Sequence, residues 1–276
     1  MRTLFIITLL TGCVNVMSQS LRYTIAMPYT GLSAYSTKQN DAFSFTGNQA
    51  ALAQTNEAAV GIYGERRFML ANISAYSLAA AVPSKLGNFG LQVNYSGFKN
   101  FTQNKFGLAY ARSLGSKMDV GIQFNYYGYR IPTYGNAAAI YAEAGAVFHV
   151  SDKLNAGMHI YNPLNAKLGK DGDEKLASAY KFGLGYDASE NFFVSGEISK
   201  EEDKPVNITA GAQYQFAKQF FARVGFLSES STVFAGAGVS FKNIRVDVAG
   251  SYHPQLGLSP AVLFIANFVK KNKDTD

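Results

Sequence analysis

The chain is short of charge. Only 16% of its 276 residues are Asp, Glu, Lys or Arg, against about 25% in an ordinary soluble domain. Trp is absent, and Cys13 is the only cysteine. One thiol cannot close a disulfide within the chain or build a thiolate metal site. Histidine occurs three times, at His149, His159 and His253. None sits in an H-E-x-x-H spacing, and no G-x-S-x-G turn occurs. We therefore expect no enzyme, no metal and no cofactor. Long apolar runs are missing too. Nothing after the N-terminus approaches the roughly 18 residues of a membrane helix. Yet 47% of residues are hydrophobic and the mean hydropathy is near zero. The apolar content must lie in short pieces. The net charge of +6 is spread out, apart from Lys270, Lys271 and Lys273. A nucleic-acid partner would call for a basic stripe or patch, so none is expected.

Aromatics and glycine are what the chain has in quantity: 17 Tyr, 21 Phe and 26 Gly. This mixture suits strands and tight turns. After Asn56 the sequence breaks into segments of about ten residues with an apolar side chain at every second position, the period of a strand. Met118, Val120, Ile122, Phe124 and Tyr126 share one face, and Asp119, Gly121, Gln123 and Asn125 the other. Ile244, Val246 and Val248 likewise oppose Arg245, Asp247 and Ala249. Helical spacing would scatter these residues around the axis. The spacing predicts about fourteen strands, centred near Val60, Ile73, Leu91, Leu108, Ile122, Ala144, Met158, Leu184, Val194, Ala210, Val224, Ala237, Val246 and Phe264. The second and last of these alternate poorly.

A soluble sandwich also alternates, so the membrane has to be argued separately. Many segments have the nine to eleven residues, roughly, that a tilted strand needs to cross a bilayer. Their apolar faces often end in Tyr126, Tyr186, Phe216, Phe226 or Tyr252, as an aromatic girdle would. Short connections at Gly115-Ser116, Ser151-Asp152, Ser189-Glu190, Ala217-Lys218 and Lys242-Asn243 alternate with longer ones. The longer ones are Gly97 to Gln103, Ile131 to Asn136, Asn162 to Ser178, Lys200 to Lys204 and His253 to Ser259. Arg66-Arg67 and Ser228 to Ser231 read as exceptions. The expectation is an all-β transmembrane antiparallel barrel of the bacterial outer membrane, with lipid as its surroundings and both termini in the periplasm.

The N-terminus reads as an export signal over residues 1–20. Arg2 is followed by an apolar stretch from Leu4 to Val16 and a small-x-small site at Ser18-Gln19-Ser20. Leu10-Thr11-Gly12-Cys13 also reads as a lipobox, which would lipidate Cys13; the apolar run continuing past Cys13 favours cleavage near Ser20. Residues 21–56 follow, with little alternation. Leu21, Ile25, Met27, Phe43, Phe45 and Leu52 would be poorly placed in water, so this stretch is expected to plug the barrel. Residues 57–270 then form the barrel and 271–276 a periplasmic tail.

Asp41-Ala42-Phe43 leading into Asn48-Gln49-Ala50-Ala51-Leu52-Ala53 resembles the N-terminal region of the FadL-like outer-membrane superfamily. Its Asn-Pro-Ala-Gly-Leu-Ala motif precedes the first barrel strand; here Gln49 replaces the proline. Tyr63-Gly64-Glu65-Arg66-Arg67-Phe68 looks like the hairpin of small PorV-like members from Bacteroidota. The resemblance implies fourteen strands and a plug, with Asn48, Gln49 and Ala50 at its turn. It also implies one of two roles. The first is a gated channel for small hydrophobic solutes. The second is a non-transporting partner barrel of the type IX secretion system, with secretion proteins as partners.

Seven polar residues fall on the face opposite the apolar one: Glu143, His159, Lys181, Glu197, Arg223, Arg245 and Asp247. They could line a ligand or proton path, or form an ion-pair network that fills the interior. Charge cannot face lipid cheaply, so they are expected in the lumen. The Asn162 to Ser178 connection carries Lys167, Lys170, Asp171, Asp173, Glu174 and Lys175 and reads as a solvated, mixed-charge loop.

Overall fold

The computed structural model describes residues 31–70, 72–132, 135–169, 174–217 and 219–268. The expected signal peptide, Cys13, residues 21–30 of the expected plug, the loop residues Lys170, Asp171 and Asp173, and the C-terminal tail lie outside the described residues. The strands in chain order are β1 (Ala58–Arg66), β2 (Ser74–Val82), β3 (Asn88–Phe98), β4 (Phe101–Ser113), β5 (Met118–Ile131), β6 (Gly135–His149) and β7 (Leu154–Tyr161). There follow β8 (Lys167–Leu168), β9 (Glu174–Lys175), β10 (Ala179–Asp187), β11 (Phe192–Glu201), β12 (Asn207–Phe216), β13 (Phe220–Leu227), β14 (Thr232–Phe241), β15 (Ile244–His253) and β16 (Gly257–Phe268).

Fourteen of these close into one antiparallel barrel in sequence order, and β8 and β9 pair separately with each other. Closure joins the first strand to the last, with Ala58 opposite Phe268 and Glu65 opposite Ala261. All-antiparallel closure leaves no bare sheet edge, a requirement for any sheet in lipid. The barrel strands run from eight residues in β7 to fifteen in β6. Among the described residues no helix is long and apolar enough to span a membrane, which has no bearing on spanning by strands.

The period of two is realised as inside and outside. On β5, Ile122, Phe124 and Tyr126 are exposed while Asp119, Gln123 and Asn125 are buried. On β15, Val248 points out and Asp247 in. Large apolar side chains thus cover the outer wall, including Leu108, Ile140, Met158, Leu184 and Phe264. Tyr186 and Phe216 stand near the rim that carries the termini, and Phe226 and Tyr252 near the opposite rim; all four are exposed.

Several sequence expectations need correction. Ile73 is not the centre of a strand; it precedes β2, whose middle is Leu78. Arg66-Arg67 is not a tight link, because residues 67–73 intervene, with a turn in which Phe68 and Met69 take positive φ. The stretches Gly97 to Gln103 and His253 to Ser259 are mostly strand. Only Lys99 and Asn100 connect β3 to β4, and only residues 254–256 connect β15 to β16. Polar residues at these strand ends made the loops look longer than they are.

The Asn162 to Ser178 segment is not simply a solvated loop. Its β8–β9 hairpin folds back so that Leu168 and Leu176 pack on Tyr127, Ala139 and Tyr141, all on the inner faces of β5 and β6. Asn162 fixes the return. Its side-chain amide donates to the Leu176 carbonyl at 2.6 Å and its side-chain oxygen accepts from Ala166 N–H at 3.0 Å. Leu168 and Leu176 supply the apolar anchor that the charged residues around them obscured.

Candidate functional site in the barrel lumen

Residues 31–56 lie inside the barrel, in short turns rather than long elements. Leu32–Tyr35 and Gln49–Gln54 are 3₁₀ turns, and Ser44–Gly47 is one helical turn. Side chains set these turns. Asp41 accepts from Phe43 N–H at 2.9 Å. Asn48 accepts from Ala50 N–H at 3.0 Å, an Asx-type cap. Asn48 also reaches the wall, donating to the carbonyls of Met158 at 3.0 Å and Ala146 at 3.3 Å.

Gln49 donates to Glu143 Oε2 at 2.6 Å. Glu143 is almost fully buried and collects three further partners. Lys105 and Asn125 reach Oε1 at 2.8 and 2.9 Å, and His159 Nε2 lies 3.1 Å from Oε2. An isolated buried carboxylate would be costly; charge-assisted bonds offset that cost. The Lys105 ammonium also lies over the rings of Tyr141 and Tyr161.

Three more clusters tie the segment to the wall. Gln54 donates to Asp119 Oδ2 at 2.6 Å, and that oxygen is 2.9 Å from His149 Nε2. Tyr35 donates to Glu197 Oε2 at 2.7 Å, while Lys181 pairs with Oε1 at 3.1 Å. Burial first, and Glu197 second, push the Tyr35 phenol well above its ordinary pKa, so it keeps its proton. Asp41 pairs with Arg245 at 3.1 Å, and Arg245 and Arg223 share Asp247 at 2.7 and 3.0 Å. The Phe221 ring packs on both guanidinium groups, its centre 4.9 Å from that of Arg223 and 4.2 Å from that of Arg245.

The seven polar residues singled out in the sequence thus sit on the inner wall, in three groups: Glu143 with His159, Lys181 with Glu197, and Arg223 with Arg245 and Asp247. Asn48, Gln49 and Ala50 are buried between wall and turn. Reading the sequence missed Lys105, Asn88 and Asp187. Asn88 holds the end of the segment by donating to the carbonyls of Leu52, Ala53 and Thr55. Asp187 accepts from Ser36 Oγ at 2.5 Å. The inward parity of all three was available as a signal.

Glycines on the inner wall make room for the segment. A Cβ on Gly157, Gly183 or Gly185 would run into Tyr35, and one on Gly145 into the side chain of Asn48. One on Gly61 would meet Phe43, and one on Gly90 would crowd Phe45 and Leu52. The lumen is also divided in character. From β5 to β11 the inner wall meets the segment with carboxylates and amides. Across β16, β1 and β2 it offers Ala59, Ala79, Ala81, Ala261, Leu263 and Ile265, clustered with Phe43, Phe45 and Leu52. At the rim that carries the termini a polar cavity of about 540 Å³ opens beside Thr37, Gln54, His149 and Asn155.

No family model matches the sequence, and no curated protein matches it. Solved structures do match in fold. The P. putida toluene transporter TodX aligns with a TM-score of 0.64 at 11% identity, over 87% of this chain and 99% of that one. The Ralstonia pickettii toluene transporter TbuX gives 0.60 at 11%, over 83% and 94%. A Pseudomonas aeruginosa FadL homologue gives 0.58 at 11%, over 83% and 93%. The chain therefore shares the fourteen-stranded barrel fold of the FadL-type channels.

Proposed function

We propose that the protein is an outer-membrane channel for small hydrophobic solutes, gated by the segment in its lumen. The observation that carries this reading is the apolar sector inside the barrel. An open porin lumen is polar and water-filled. A wall of alanine, leucine and isoleucine facing inwards offers water nothing and an apolar solute a surface. The fold shared with hydrocarbon channels supports the same reading. Both termini then lie on the periplasmic side, with residues 1–20 as the export signal and 21–56 as the plug. The seven inward polar residues hold the plug in place and do not contact the solute.

A second reading draws on the PorV-like resemblance of residues 41–68 and on the number of buried bonds that fasten residues 31–56. In this reading the barrel is closed for good and serves as a partner subunit of a secretion system. One experiment separates the two. The full-length protein is expressed in an outer-membrane host that lacks such channels, and uptake of an apolar fluorophore, 1-N-phenylnaphthylamine, is followed in intact cells. Uptake clearly faster than in cells without the protein supports the channel. Uptake at the background rate, with the barrel folded and in the outer membrane, rules the channel out in favour of the partner barrel.

A further inference from the structure

The segment in the lumen is held unequally around its circumference. Asn48, Gln49 and Gln54 are bonded to β5, β6 and β7, and Tyr35 to β11. On the other side stands a smooth apolar patch. Ala59 is opposite Ala81, and Gly61 lies between Ala79 and Ile265. Phe43 covers Gly61, and Phe45 and Leu52 cover Gly90. Polar anchors bound this patch on both flanks: Arg245 with Asp41 on β15, and Asn88 on β3.

We propose that an apolar solute passes along this seam, between residues 43–52 and the inner faces of β16, β1 and β2, while the β5–β11 side stays fastened. The proposal rests on the channel reading and adds the route. Parting the fastened side would take from Glu143, Asp119 and Glu197 the donors that Gln49, Gln54 and Tyr35 now give them, and the solute carries nothing to replace them. Parting the apolar side removes only contacts between hydrocarbon surfaces. A solute entering there restores burial to both surfaces as it moves. The seam therefore yields to the class of molecule that can fill it and stays shut to polar ones. Alanine and glycine along the wall set the width, so compact apolar molecules fit best and bulky ones press on Phe43.

The test uses the full-length protein and the uptake of 1-N-phenylnaphthylamine into intact cells. Ala79→Phe fills the seam, and uptake should fall at least tenfold. Ser195→Phe adds the same bulk to the inner face of β11, and uptake should change less than twofold. Assembly is checked by heat-modifiability on gels, and Ala261→Phe replaces Ala79→Phe if that variant does not assemble. Wild-type uptake at background overturns the channel reading, and the seam with it. Wild-type uptake above background that survives Ala79→Phe, or that falls equally in both variants, overturns the seam alone.

Discussion

The side-chain amide of Gln49 and the carboxylate of Glu143 meet at 2.6 Å, out of reach of solvent, and join the lumen segment to the middle of β6. The two ends of this bond are not equivalent. Gln49→Ala removes one of four donors to Glu143 and should cost about 1–3 kcal/mol. Glu143→Ala strands Lys105 in the interior and should cost more, about 3–5 kcal/mol. Urea unfolding of the refolded barrel in detergent, followed by Tyr fluorescence, measures both. Equal losses would mean that Glu143 serves the segment alone and not the wall.

Tyr35 gives a separate handle on the segment. Gly183→Val would place two methyl groups where the Tyr35 ring lies. Overpacking of a filled interior costs roughly 1–3 kcal/mol, and moving the segment relieves it. Lys38 is the only basic residue between Gly31 and Asn56. Trypsin should therefore cut after Lys38 at least tenfold faster in Gly183→Val than in wild type. An unchanged rate with an assembled barrel would show that Tyr35 can leave its socket without loosening the rest.

The outer face predicts a dependence on depth. Val248 and Phe241 have the same exposure, 63%, but Val248 is in mid-strand and Phe241 ends β14 at the rim. Val248→Arg should cost about 2–4 kcal/mol near the bilayer midplane, and Phe241→Arg about 0–1 kcal/mol at the interface. The same unfolding assay in lipid vesicles compares them. Similar costs at both positions would displace the membrane belt from the place assigned to it.

Orientation can be read on living cells. Asp203 lies between β11 and β12, on the rim opposite the termini, and Asp152 lies between β6 and β7, on the rim that carries them. A cysteine-specific, membrane-impermeant label should reach Asp203→Cys on intact cells, and Asp152→Cys only after the outer membrane is opened. The reverse result would invert the barrel. Asp203 is a better site than the 162–178 loop, whose hairpin is folded against the inner wall.

Much of the fold was legible because lipid outside and polar groups inside impose a strict period of two. Where the inside is apolar, that contrast disappears. Leu263 and Ile265 face inwards on β16 while Val262 and Phe264 face out, and Ala79 and Ala81 face inwards beside Leu78 and Ala80 on β2. These are the two strands whose alternation was poor, and they are two of the three that line the proposed seam, on either side of β1. The failure of the pattern was itself the signal. The candidate site was legible only as parity. Glu143, His159 and Arg223 could be assigned to a face, but their partners come from other strands or from the lumen segment, and a face assignment does not say which of them meet. Lys105 meets Glu143, and Asp41 meets Arg245, only after the sheet has curled. The hairpin at 162–178 was hidden because two leucines among many charges carry no period.

The pairing of Ala58 with Phe268 governs the order in which the molecule can be made. Each strand from β2 to β15 finds a partner close by in sequence, so a growing ribbon can add strands one at a time. β1 has to wait for β16, the last strand made, across nearly the whole chain, and closing so long a loop is the slow kind of step. Until then the ribbon carries two bare edges, each a template for pairing with another chain. A truncation that removes β16 should not give a smaller barrel. It should give a chain that never loses its open edges, which makes the C-terminal strand the one whose arrival ends the risk of aggregation.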